Sequence, residues 1–157
     1  MYMKFLDKDQ REVHLTYKTN KDVPTGNHVL AIPVFQHQLL FTCHKIRGIE
    51  FPGGKRELNE TSIDAIRREL YEETGAHAID IKYIAQYKVE TSSNIDFVKD
   101  VYFIQVDTLK QQSDYLETDG PCLFQSVESI PDNKKSFLLK DDAILHCYER
   151  VKALGFY

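Results

Sequence analysis

The stretch from Phe51 to Ala76 constrains this chain more than any other: Phe51-Pro52-Gly53-Gly54-Lys55, then Glu60, then Arg68-Glu69-Leu70-Tyr71-Glu72-Glu73-Thr74-Gly75-Ala76. Pro52, Gly53 and Gly54 mark a tight turn at which a ligand can approach the backbone closely. Thr61, with Asp64 three residues later, reads as a helix N-cap, and Gly75 reads as its C-terminal stop. The spacing therefore predicts a helix over 61–74. At ~100° per residue, Ile63, Ile66 and Leu70 fall on one arc that should face a core. Glu69, Glu72 and Glu73, at i, i+3 and i+4, share the adjoining face. Arg68 lies one turn before Glu72, within pairing reach.

Like charges at this spacing cost a bare helix ~0.2–0.5 kcal/mol per pair. A hard divalent cation removes that cost. Oxygen-only donors point to Mg²⁺ or Mn²⁺ rather than Zn²⁺, and Mg²⁺ on a few carboxylates suits a phosphate-bearing substrate. The alternative is an ordinary solvated, Glu-rich helix face.

Taken with the glycine turn, the residues Gly54, Glu60, Arg68, Glu69, Glu72, Glu73 and Gly75 resemble the signature of the Nudix hydrolases. That signature is a Gly, five residues, Glu, seven residues, Arg-Glu, an aliphatic, any residue, Glu-Glu, any residue, Gly and an aliphatic. Every fixed position matches. Only Ala76 departs, being smaller than the usual aliphatic, which touches packing and not chemistry. The resemblance implies the Nudix fold, an α/β (α+β) architecture with a mixed β-sheet sandwiched between helices. It also implies hydrolysis of a nucleoside diphosphate linked to a further group. In this family's terms Glu72 and Glu73 are the principal metal ligands, and Glu69 is a ligand or the base that activates water. Arg68 orients the carboxylates, the Gly53 carbonyl completes the metal shell, and Glu60 is a secondary ligand. Mg²⁺ is the expected ion, with Mn²⁺ as an alternative. Glu57 either touches metal through water or is an exposed loop residue.

Family members often recruit a further acid from outside the motif. Glu117, in the loop before the last predicted strand, is preferred here over Glu90, and a solvated loop Glu is the alternative. Lys55, Arg47, Lys45 and the Lys134-Lys135 pair are candidate phosphate-binding cations or plain surface charges. More narrowly, Gly48-Ile49-Glu50-Phe51-Pro52-Gly53-Gly54-Lys55 resembles the MutT-type nucleoside triphosphate pyrophosphohydrolases. Ala85-Gln86-Tyr87-Lys88-Val89, Tyr115 to Pro121 and Asn133 to Phe137 look like the YtkD group of Gram-positive bacteria. That resemblance implies cleavage of purine nucleoside triphosphates, 8-oxo-dGTP included, to monophosphate and pyrophosphate. Phe51 would stack on the base or pack the core. Asn133 would read a purine edge or serve as a turn residue beside Pro131. Two rival functions stand beside this one: a pyrophosphohydrolase of triphosphorylated RNA 5′ ends, and a nucleotide-binding domain without catalysis. The second rival is disfavoured because no carboxylate of the motif is lost.

With 157 residues, 42% of them hydrophobic and 28% charged, the chain suits one domain, 1–157, with a proper core. Its net charge of −4 argues against holding a DNA duplex or an extended RNA surface and leaves a nucleotide or a short RNA 5′ end as partner. A monomer and a homodimer are both compatible. No apolar run approaches the ~18 residues of a membrane span, and the first residues lack the apolar stretch of a signal peptide. Cys43, Cys122 and Cys147 read as reduced thiols of a cytoplasmic protein. The six histidines, scattered and unpaired in spacing, are expected to be structural or at the surface.

Alternation and turn residues give the remaining elements. A hairpin is expected around 7–10, a loop over 19–27 and a buried strand over 28–35, with Pro33 marking irregularity or an edge. A return strand follows over 39–44. After the helix, a long strand spans 78–91 with Ile79, Ile81, Tyr83 and Ala85 on one side, and a turn lies at 92–94. A strand over 98–106, a last strand over 122–127 and a closing amphipathic helix over 140–154 complete the chain.

Overall fold

The computed structural model describes residues 1–91 and 97–157, so the turn expected at 92–94 lies outside the described residues. Nine strands and two helices follow one another along them. These are β1 (Tyr2–Leu6), β2 (Glu12–Tyr17), β3 (His28–Phe35), β4 (Gln38–His44), β5 (Gly48–Glu50), β6 (Gly53–Lys55), α1 (Ser62–Thr74), β7 (Ala76–Val89), β8 (Phe97–Leu109), β9 (Thr118–Phe124) and α2 (Asp142–Ala153). Short 3-10 turns at Asp132–Lys134 and Phe137–Lys140 precede α2.

The strands form one mixed sheet in the order β1-β2-β7-β8-β3-β4-β5, with β6 added on β3 and β9 on β4. β3 and β8 run parallel over their common length, and the other pairs are antiparallel. Each face of the sheet carries one helix and its own apolar cluster. Ala65, Ile66 and Leu70 of α1 pack on Val29, Ala31, Tyr102 and Ile104. Ala143, Ile144, Cys147, Tyr148 and Val151 of α2 pack on Leu30, Ile32, Val101 and Phe103. Full burial of each such aliphatic side chain contributes about 1.5–3 kcal/mol.

The caps of α1 are those the sequence predicts. Thr61 accepts the Asp64 amide on its side chain, and Gly75 ends the helix at φ 76°. Its buried face is different. Ser62, Ile66, Leu70 and Thr74 form the inward stripe at strict i, i+4 spacing, so Ile63, one residue off that stripe, is 41% exposed. Ser62 takes the inward position because its hydroxyl has a buried partner there, described below.

The long strand β7 also departs from simple alternation. Its pairing with β8 shifts register near Ala78 and again between Tyr83 and Ala85. Each shift breaks the period of two. Ile79 is therefore exposed, and Tyr83 packs with the α1 cluster while Ala85, Tyr87 and Val89 pack with the α2 cluster. Pro33 lies inside the sheet, opposite Ile104, rather than at an edge. Ala31 sends its amide to the Pro52 carbonyl. The nitrogen of Pro33, two residues on, points the same way, into the break between the β6 pairing (ending at Leu30) and the β4 pairing (starting at Val34). No ladder bond is lost there. The last strand begins at Thr118 and closes at Phe124, earlier than its apolar run suggests.

The β1–β2 turn is organised by Asp7, which is buried at 6% exposure. One carboxylate oxygen accepts the Asp9 and Arg11 amides, each at 2.9 Å, and the other accepts the Arg11 guanidinium at 2.9 Å. Burial pushes this carboxyl up, but the two amides and the guanidinium outweigh it and hold the group below its ordinary value. A depressed carboxyl stabilises the fold above its unfolded pKa, and that stability is lost as pH falls through the folded value. Asp7→Asn should therefore cost about 1 kcal/mol at neutral pH and flatten the stability profile below about pH 4. Urea titrations of both proteins across pH 3–7 check this.

Candidate active site

The glycine turn and the start of α1 are shaped by close packing. A Cβ on Gly53 would lie 2.4 Å from the Val29 carbonyl oxygen, and one on Gly54 would lie 2.5 Å from the Glu69 carboxyl. Neither position accepts a side chain without movement of its neighbours. The Gly53 amide donates to Glu73 Oε2 at 3.0 Å. The turn is thereby tied to the far end of the helix that follows it.

Arg68 gathers the carboxylates. Its Nε lies 2.7 Å from Glu60 Oε2, and a terminal nitrogen lies 3.0 Å from Glu60 Oε1. The other terminal nitrogen donates to Glu69 Oε1 at 3.0 Å and Glu72 Oε2 at 3.3 Å, with Glu57 at 3.7 Å. The Lys55 carbonyl also accepts from Arg68, at 3.2 Å. One planar fork therefore orients Glu60, Glu69 and Glu72. The Arg68 hydrogen bond draws the Glu60 carboxyl down, whereas burial raises Glu69 despite its contact with Arg68. Glu73 is the extreme case. Burial, with the Glu69 charge beside it, pushes its carboxyl up to about 9.

The C-terminal end of α1 is held from the sheet. Thr42 and Thr118 both donate their hydroxyls to the Glu73 carbonyl, at 3.3 and 3.2 Å. These contacts fix where Glu72 and Glu73 stand. Arg68→Lys tests the fork. A lysine keeps the charge but loses the fork, and should lower activity or metal affinity about 10–100-fold. Mg²⁺ titration of initial rates measures this.

Other residues singled out from sequence take varied places. Arg47 is bound through two bonds, 3.0 and 2.7 Å, to Glu50, which is buried at 4% exposure. Its fork is thus occupied by a carboxylate, and Glu117 and Glu73 add negative charge around it. Glu117 is exposed at the rim of this group. Lys55 is exposed beside Arg68. Lys45 donates to the Leu116 carbonyl at 2.9 Å. Lys135 pairs with Asp132 and sits against Ile49, so the two basic segments, distant in sequence, meet beside β5. Asn133 is exposed in the 3-10 turn. Phe51 is corrected to a core residue: it is 4% exposed and stacks on Phe41 at 4.7 Å, so no base can reach its face. Glu90 pairs with His14 at 3.3 Å on β2, away from α1.

Sequence reasoning passed over Glu50 and Lys99. A lone acid between Ile49 and Phe51, and a lysine inside the apolar run of β8, were the available signals. Lys99 lines a cavity of about 480 Å³ with Tyr87, Phe97, Phe137, Leu138 and Asp141. Its ammonium lies 5.0 Å from the Phe97 ring centre and 6.0 Å from that of Tyr87, and burial pushes it down to about 8. The charges of Asp141, Glu50 and Arg47 bear on it, and the cavity opens on the side of the sheet that carries α2, with Leu138 and Ile144 in its wall.

A glycine turn locked to a helix whose carboxylates converge on one arginine defines a hydrolase of the phosphoanhydride-cleaving kind. The chain belongs to the Nudix hydrolase family: the NUDIX domain model matches residues 24–140. It is 39% identical over 154 residues to YtkD of Bacillus subtilis (strain 168), covering 97% of both chains. 8-oxo-dGTP diphosphatase activity is provisionally ascribed to that protein. Its structure is similar to that of a mutant of the Bacillus subtilis pyrophosphohydrolase BsRppH, with a TM-score of 0.85, 37% identity and 98% of each chain covered. A NUDIX hydrolase from Nitrosomonas europaea shares the fold at a TM-score of 0.65 and 21% identity, over 83% of this chain and 90% of that one. Nudix hydrolases generally depend on a divalent metal, and the donor set here fits one. Glu57, Glu60, Glu69 and Glu72 face a single guanidinium, and Glu73, partly buried, forms no ion pair among the described residues. No helix among the described residues is long and apolar enough to cross a membrane.

Proposed function

We propose that this protein hydrolyses purine nucleoside triphosphates, 8-oxo-dGTP among them, to the monophosphate and pyrophosphate with Mg²⁺. The observation that carries the proposal is the intact carboxylate set, with Glu60, Glu69 and Glu72 on Arg68 and Glu73 on the Gly53 amide. Glu69, Glu72, Glu73 and the Gly53 carbonyl would hold the metal, with Glu60 in support. When bound, the metal neutralises the developing phosphate charge and lowers the pKa of water. Arg68 keeps the carboxylates oriented before substrate arrives, so little reorganisation is needed at the moment of reaction. Glu69, half-buried and raised in pKa, is placed to take the proton of the attacking water. Glu117 stands at the rim as a further acid.

The names of the two Bacillus subtilis relatives support this chemistry, and the cavity at Lys99 supports a purine. Phe137, exposed, and Phe97, partly so, offer stacking surfaces there, and Lys99 offers donors to base-edge acceptors. Mg²⁺-dependent turnover of dGTP, 8-oxo-dGTP, GTP, ATP, ADP-ribose and a 5′-triphosphate RNA, with products separated by chromatography, tests the proposal. Release of pyrophosphate and monophosphate from purine triphosphates is expected. Lys99→Met should raise KM for the preferred nucleotide roughly tenfold while leaving kcat within about twofold, as expected for lost binding alone. An unchanged KM would remove the cavity from substrate binding.

A second reading is removal of pyrophosphate from a triphosphorylated RNA 5′ end. It is favoured by the meeting of the Lys45–Arg47 segment with Lys134 and Lys135 beside the site. A strong preference for the RNA substrate in the same panel would promote it.

A further inference from the structure

Far from α1, three side chains converge on the exposed surface of the β1–β2–β7 edge. Glu12 and His14 are two apart on β2, so they share a face. Glu90 follows β7, and its amide donates to the Glu12 carbonyl at 2.9 Å. Val13 pairs with Val89, which sets Glu12 opposite Glu90 across the strands. Two carboxylates so placed repel. His14 Nε2 lies between them, 2.8 Å from Glu12 Oε1 and 3.3 Å from Glu90 Oε1. One donor atom from each residue lies within 4.8 Å of the other two.

The imidazole supplies the second observation. Its Nε2 is out of solvent and makes no hydrogen bond of proper geometry, although carboxylate oxygens surround it. Its other nitrogen, Nδ1, is engaged by the Tyr2 hydroxyl. That hydroxyl can accept the Nδ1 proton, which leaves the Nε2 lone pair aimed between the two carboxylates. A ring nitrogen held by an outer partner, with its opposite nitrogen directed at oxygen donors, is the arrangement of a metal-bound histidine.

We propose that Glu12, His14 and Glu90 form a surface Zn²⁺ site separate from the catalytic carboxylates. One imidazole nitrogen with two carboxylates suits zinc better than Mg²⁺, which takes oxygen donors. Bonds of about 2.1 Å at tetrahedral angles set donors about 3.4 Å apart; the 3.3 Å distance from Nε2 to Glu90 is close to that, and the 2.8 Å distance to Glu12 would lengthen on binding. The fourth position would hold water. Lys4, 3.2 Å from Glu12 Oε1, competes for one carboxylate, and Lys88 faces His14 across the strands. Both are surface cations on flexible stems, and an exposed pair such as Lys4–Glu12 is weakly held. Bound zinc would pin the first hairpin to β7.

Equilibrium dialysis against ⁶⁵Zn²⁺, with millimolar Mg²⁺ present to fill the catalytic site, tests the proposal on the intact chain. One zinc per chain is expected for the native protein. His14→Ala and the conservative Glu90→Gln should each weaken binding at least tenfold, and His77→Ala, at another exposed histidine, should leave it unchanged. Zinc should also raise the melting temperature of the native protein but not of His14→Ala. Equal zinc uptake by the native protein and His14→Ala, or no uptake by either, would show an ion-pair cluster only and overturn the site. Glu72→Gln provides the control for the catalytic carboxylates, and zinc uptake lost in that variant but kept in His14→Ala would also overturn it.

Discussion

Glu73→Gln should lower kcat/KM for the preferred triphosphate by about 10³-fold, the scale of several kcal/mol of lost charge stabilisation, while the protein stays folded. Glutamine keeps the shape and still accepts the Gly53 amide, which now meets Glu73 Oε2 at 3.0 Å. It removes the charge that would bind metal. Its effect on stability should have the opposite sign. The Glu73 carboxyl is raised to about 9 by burial and the Glu69 charge. A carboxyl raised on folding contributes stability below its unfolded pKa, and that stability is lost as pH rises toward the folded value. The metal-free native protein should therefore weaken between about pH 4.5 and 9, and Glu73→Gln should flatten that decline. Mg²⁺ should raise the melting temperature of the native protein and do so far less in the variant. Steady-state kinetics and melting curves across pH, with and without Mg²⁺, measure both effects. Retained turnover in Glu73→Gln and in Glu72→Gln would remove these residues from the metal site.

The largest stability effect is expected at Asp100, a fully buried carboxylate on β8. One oxygen accepts the Gly26 amide and the Ser62 hydroxyl, each at 2.7 Å. The other accepts the Tyr83 hydroxyl at 2.7 Å and the Gln86 amide at 2.9 Å. Ser62 also meets the Tyr102 hydroxyl at 2.6 Å. Asp100 thus joins the 19–27 loop, the first turn of α1 and β7. Asp100→Ala leaves four donors without their acceptor and should cost about 3–5 kcal/mol, read by urea denaturation. Asp100→Asn should cost nearly as much, because its amide group must face donors. Since Ser62 anchors the start of α1, surviving folded protein should also show weaker Mg²⁺ binding at Glu60 and Glu69.

The helix, its caps and its carboxylate flank were legible in the sequence because they depend on local spacing: Thr61, Gly75 and the i, i+3, i+4 set of Glu69, Glu72 and Glu73. The Nudix signature is equally local, so the fold class and the family follow from residues close in the chain. What the tertiary structure alone decided are the contacts made across the sheet. Phe51 could have met a base or the core, and Phe41 and Tyr148 settle it for the core. Ile63 lost its inward place to Ser62 because Asp100, thirty-eight residues away, needs a donor. Register shifts turned Ile79 outward, and no periodicity within β7 foretells them. Arg47 could have been free to meet phosphate, but Glu50 binds it through two bonds. Local spacing specifies which groups an element carries. Which of them meet, and which are left facing solvent, follows from burial and hydrogen-bond satisfaction between strands that the chain brings together only on folding.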